Sequence, residues 1–130
     1  MYVLSSNLDV LYKERMNKMQ LLILILKQID LIDKILPQLA EEGIKGGTIL
    51  EGSGMAKSLR DLHDTPMFGM LRHLAEEDGF EASKVMMFVL DDNRAVVARN
   101  TIKKAVDLRA ANTGIMFSLP ITYVEGLGEN

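Results

Sequence analysis

Two short clusters in this 130-residue chain have the residue types to hold an anion. The first is Gly52-Ser53-Gly54, followed by Met55, Lys57 and Arg60. A glycine-rich turn can aim successive backbone N–H groups at an oxyanion, and a nearby ammonium or guanidinium neutralises its charge. The same three residues also suit a plain loop entry, where glycine supplies only conformational freedom. The second cluster is Asn112-Thr113-Gly114, whose amide and hydroxyl suit either a ligand or a simple turn.

Other chemistry-bearing groups point to structure. Asp91-Asp92 is a carboxylate pair, but an Asp that ends a strand and opens a helix caps that helix and suits its dipole. His63 and His73 are the only histidines, and they are not at the spacing of a ligand pair on one element. Asp61 and Asp64 flank His63, and we read this stretch as exposed loop. With no cysteine in the chain, thiolate nucleophiles, thiolate metal sites and disulfides are excluded. No catalytic centre and no metal site is expected.

Charge and hydropathy narrow the class further. Net charge is −3, which lacks the basic stripe of a nucleic-acid binder. Leu21–Leu26 is the longest aliphatic run, far short of the roughly 20 residues a membrane span needs. Lys13-Glu14-Arg15 stands where a secretory signal would place its small-residue cleavage site, so a cytoplasmic protein is expected.

The elements that must position the clusters follow from periodicity. Residues 1–19 form an N-terminal extension, either disordered or a short helix from about Leu8 to Asn17 that docks on the rest. The domain then runs over 20–130. Leu21–Lys27 has the length and continuous apolarity of a central strand buried on both faces. Leu31, Ile32, Ile35, Leu36 and Leu39 recur at helical spacing behind Asp30 as cap, with Gly43 as the terminating glycine. Pro37 either kinks that helix or moves its start. Residues 46–51 form a second strand.

Beyond it lies a long segment, 52–83, with one credible helix. Thr65 caps it, Pro66 opens it, and Met67, Phe68, Met70, Leu71 and Leu74 follow. Methionine is adaptable at binding surfaces, so this Met/Phe group is either a partner-docking element or ordinary packing. Lys84–Leu90 is the third strand. Val96, Val97, Ile102, Ala105, Val106 and Leu108 give the apolar face of a second long helix. Ile115–Leu119 is the fourth strand, closed by Pro120.

That order predicts an α+β, ferredoxin-like βαββαβ domain: a four-stranded antiparallel sheet, two helices on one face, and a long loop between strands 2 and 3. The other face of the sheet would be left bare, although its strands are apolar on both sides. A patch of that size on a monomer is unusual, and self-association is the simplest answer.

Three stretches of the chain resemble the PII signalling family. Gly43-Ile44-Lys45-Gly46-Gly47-Thr48, with Glu51-Gly52-Ser53-Gly54-Met55-Ala56-Lys57, is similar to the helix exit, second strand and entry to the long T-loop. Val89-Leu90-Asp91-Asp92, with Val96, Val97, Ile102 and Ala105, is similar to the third strand and second helix. Thr113-Gly114 through Ile121 is similar to the turn and fourth strand at the family's nucleotide cleft. The likeness spans about residues 20–125 and is carried by the order of the three stretches.

The resemblance implies a non-enzymatic homotrimer that senses a small effector, such as an adenine nucleotide, at clefts between subunits. It implies ligand contact at Thr48, Gly52, Ser53, Gly54, Met55, Lys57, Asn112, Thr113 and Gly114. It also implies that segment 52–83 grips a target such as a transporter, an enzyme or a regulator, with Met67, Phe68, Met70 and Leu71 as the docking group. The chain departs from PII proteins in four ways. The insert has no tyrosine to modify, and Ile115 directly follows Gly114 where a basic residue is usual. The tail lacks the arginines that close over ATP, and the path from Gly46 to Gly52 is short. A CutA-type structural or metal-handling trimer without a switch is the alternative.

Overall fold

The computed structural model describes residues 18–55 and 83–128. Within them, β1 (Met19–Leu26) leads through a 3-10 turn (Ile29–Leu31) into α1 (Ile32–Glu41). Then come β2 (Thr48–Gly52), β3 (Ser83–Asp91), α2 (Asp92–Ala105) and β4 (Gly114–Pro120). The sheet order is β2-β3-β1-β4, and every neighbouring pair is antiparallel. This is the expected βαββαβ fold, with β1 at a central position.

One core lies between the sheet and the helices. Leu22, Leu24 and Leu26 of β1 and Met86, Phe88 and Leu90 of β3 point into it. Ile32, Ile35 and Leu39 of α1 and Ala95, Ala98, Ile102 and Ala105 of α2 meet them there. The strict alternation along β1 and β3 sends one side chain in two to this core and the next to the opposite face.

Several details differ from the expectations: Leu36 is exposed, and the second helix ends at Ala105, before Val106 and Leu108. Asp30 does not cap α1: it lies inside the 3-10 turn closed by the Leu31 N–H donating to the Gln28 carbonyl at 3.2 Å. The helix then begins behind Leu31 with no side-chain cap. Val96 and Val97 do not belong to the apolar face of α2 but stay exposed, because Ala95, Ala98, Thr101, Ile102 and Ala105 share the inward stripe. β1 is fully buried on one face only: Leu21, Ile23 and Ile25 are half-buried.

The α1 exit and the α2 start are tied together. Gly43, at φ +83, ends α1 with its N–H on the Ala40 carbonyl, while the Ile44 N–H reaches the Leu39 carbonyl. That paired arrangement favours glycine at the left-handed position and packs Ile44 into the core beside Leu39. Arg94 then donates from Nη1 to the Gly43 carbonyl at 3.0 Å. Asp91 caps α2 as expected, accepting the Arg94 backbone N–H at 2.7 Å. α1 is continuous through Pro37.

The second sheet face is largely apolar, with Thr48 at one edge as its polar exception. Its register sets Leu119, Leu21 and Val89 in one row. Phe117, Ile23, Met87 and Thr48 form the next, and Ile115, Ile25, Val85 and Leu50 the third. Leu50, Ile115, Phe117 and Leu119 are exposed.

Candidate functional site

The strand register brings the two glycine-bearing clusters to the same end of the sheet. Gly52 pairs with Ser83 there, Leu26 pairs with both Lys84 and Gly114, and the Lys27 N–H donates to the Thr113 carbonyl at 2.9 Å. The clusters nevertheless sit at opposite edges. Three strand spacings of about 4.8 Å put Gly52 and Gly114 about 14 Å apart. Thr48 lies four residues back along β2, about 13 Å from Gly52 at strand rise. It is exposed at the rim of the apolar face and is the polar member of the three rows.

The turn before β4 is rigidly specified. Asn112 takes a left-handed backbone at φ 60, a conformation asparagine tolerates better than most residues. Thr113 is buried, and its hydroxyl faces the Ala111 carbonyl at 3.5 Å. That inward hydroxyl supports the turn, whereas the Asn112 amide is exposed and has no hydrogen-bond partner among the described residues. At Gly114 a Cβ would fall on the Ile25 carbonyl oxygen. Overpacking against fixed backbone has no cheap relief, so Gly114→Ala should destabilise the fold by about 2–3 kcal/mol. Urea unfolding of the variant and parent gives this directly.

A groove of about 280 Å³ opens beside this turn. Asn112, Thr113 and Gly114 line it together with Ile25, Ala110 and Ile115, and Lys27 is the one charged residue in the lining. Lys27 was absent from the sequence-based candidates. Its signal was its place directly after β1, which registers opposite the turn only once the β1–β4 pairing is known.

At the other edge, Gly52, Ser53 and Gly54 lead away from β2. A Cβ at Gly52 would press on the Ser83 side chain, whereas one at Gly54 would meet open space. Met55 is exposed. Lys57, Met67, Phe68, Met70 and Leu71 lie outside the described residues, as do both histidines. Among the described residues no three His, Cys, Asp or Glu side chains gather as a metal cluster, and no helix is long and apolar enough to cross a membrane.

The base of the insert carries an ion pair. Lys84 Nζ donates to Glu51 Oε1 at 2.7 Å, between directly opposed residues of β3 and β2. That hydrogen bond, with the charge of Lys84, holds the Glu51 carboxyl below its ordinary value. A carboxyl depressed in the folded state stabilises it above the unfolded-state value and loses that contribution as pH falls through the folded value. Carboxyl-carbon NMR should show Glu51 titrating below the ordinary glutamate range, and Lys84→Ala should return its midpoint to that range. An unmoved midpoint would break the assignment.

Comparison with solved structures finds proteins of similar fold. The structure of Arabidopsis thaliana PII bound to citrate is similar to this chain, with a TM-score of 0.58 and 21% sequence identity. The match covers 82% of this chain and 79% of that one. At that identity the likeness shows the fold: the chain has a ferredoxin-like fold of the PII type, in divergent form. No protein-family model and no curated protein matches it.

Proposed function

We propose that this chain is a PII-like regulator. It assembles as a homotrimer, binds a small effector at clefts between subunits, and uses segment 52–83 to engage a target protein. It performs no catalysis of its own.

The observation that carries this reading is the apolar sheet face with candidate ligand residues at its two rims. Burying Ile23, Met87 and Phe117 against other copies removes a patch too apolar for a free monomer. Thr48 lies on one edge strand and Asn112 just before the other, so a single chain cannot unite them. Head-to-tail packing around a closed ring sets the β2 edge of one copy against the β4 edge of the next. Each cleft then receives residues from two chains. The solved PII structure was obtained with citrate, which makes a small carboxylate a reasonable effector beside an adenine nucleotide.

Because the chain has no cysteine, single thiols can be placed at will. Thr48→Cys and Asn112→Cys chains, unfolded together, refolded as a mixture and treated with a short bismaleimide, should give covalent dimers. Neither variant should do so alone. Absence of the mixed cross-link would sink the shared cleft.

A further inference from the structure

We infer that residues 8–17 dock as an amphipathic helix in the outer seam between α1 and α2 of their own chain. The proposed trimer uses the sheet face, so this seam belongs to the opposite layer of the subunit and its occupant is a separate matter.

The seam is apolar and open. Arg94 donates to the Gly43 carbonyl, which fixes the side of α1 that faces α2. Ala40 and Leu36 lie three and seven residues back from Gly43, on that side of α1. Val97 lies three residues on from Arg94, on the facing side of α2. All three are exposed, and Val96 beside them is exposed as well.

The chain itself supplies an occupant. The Lys18 carbonyl accepts the Asp92 N–H at 2.7 Å, which holds the entry to β1 beside the first turn of α2. Residues 1–17 precede it and lie outside the described residues. Their sequence suits a helix with one apolar side: Ser6 and Asp9 have capping-box spacing, and Leu8, Leu11 and Tyr12 recur at i, i+3 and i+4. A helix over 8–17 is about 15 Å long, enough to run from the start of α2 past Val96 and Val97. So short a helix is marginal alone in water, so folding and docking occur together, driven by burial of Leu8, Leu11 and Tyr12 on the seam. Laid antiparallel to α2, it brings Asp9 towards Lys103 and Lys104, neither of which has an ion-pair partner among the described residues.

The test is cross-linking in the full-length protein, which has no cysteine of its own. Leu11→Cys combined with Val97→Cys, treated with a short bismaleimide, should give an intrachain link, read by peptide mass spectrometry on the band of single-chain mass. Leu11→Cys combined with Phe117→Cys, which probes the sheet face instead, should give at least fivefold less. Adding Leu8→Asp to the first pair should cut its yield at least fivefold, because the apolar side then carries a charge. An equal or higher yield at Phe117, a yield unmoved by Leu8→Asp, or no intrachain product at Val97 would each overturn the inference. A product that joins positions 11 and 97 of two different chains would also overturn it, and would assign the seam to a second copy.

Discussion

Ile23→Asp should convert the proposed trimer into single chains. Ile23 is at the centre of the bare face, on a central strand, with Phe117 and Met87 directly opposite it in the neighbouring strands. In a free chain the new carboxylate meets water across a half-buried position. In the proposed trimer it is sealed among apolar side chains of neighbouring copies, with no partner to neutralise it. Removing a charge from water without compensation costs several kcal/mol, and every subunit incurs it. Light scattering should therefore report a single-chain mass for the variant at concentrations where the parent is assembled. Phe117→Asp, on edge strand β4, separates loss of assembly from damage to a central strand and should act the same way. Val96→Asp is the control, since Val96 is exposed on the outer side of α2. It should leave the mass unchanged. If the Val96 variant dissociates and the Ile23 variant does not, the interface has been assigned to the wrong face.

Leu24→Ala should destabilise each subunit by about 4 kcal/mol, within the range typical for deleting a fully buried leucine side chain. Leu24 is completely buried and lies between Met86 and Met116 in the β1 register. Its neighbours along the strand, Leu22 and Leu26, are equally buried, so the sheet has little freedom to collapse into the gap. A loss of this size is a large fraction of the stability of a small domain. Urea denaturation should show the midpoint falling steeply with the slope preserved. A loss below about 1 kcal/mol would mean that the β1 core face is poorly packed.

How much of this was legible in the sequence depends on the element. β1 and β3 announced themselves, because runs such as Leu21–Leu26 and Val85–Leu90 admit few other readings. The cap at Asp91 and the glycine at Gly43 were equally plain, since each has one chemical job at a helix end. Asp30 misled because a capping residue type is visible in sequence, whereas a 3-10 turn that draws it into the helical backbone is not. Val96 and Val97 misled for a different reason. Hydrophobicity favours valine over alanine, yet the inward stripe of α2 is built on Ala95, Ala98 and Ala105. The bare sheet face was deducible from the element order, and the register then supplied its rows. The candidate site was only partly legible. Gly52-Ser53-Gly54 and Asn112-Thr113-Gly114 were visible as clusters, but their placement at opposite edges of one sheet end is a property of strand order. Lys27 was invisible for the same reason: it becomes part of a groove only through its pairing with Thr113.

The central claim is that the bare face is closed by two further copies. Native mass spectrometry of the unmodified protein at micromolar concentration tests it most directly. A species of three 14.5 kDa chains should dominate and persist without added ligand. A protein that remains a single chain across that concentration range would contradict it, and with it the shared cleft.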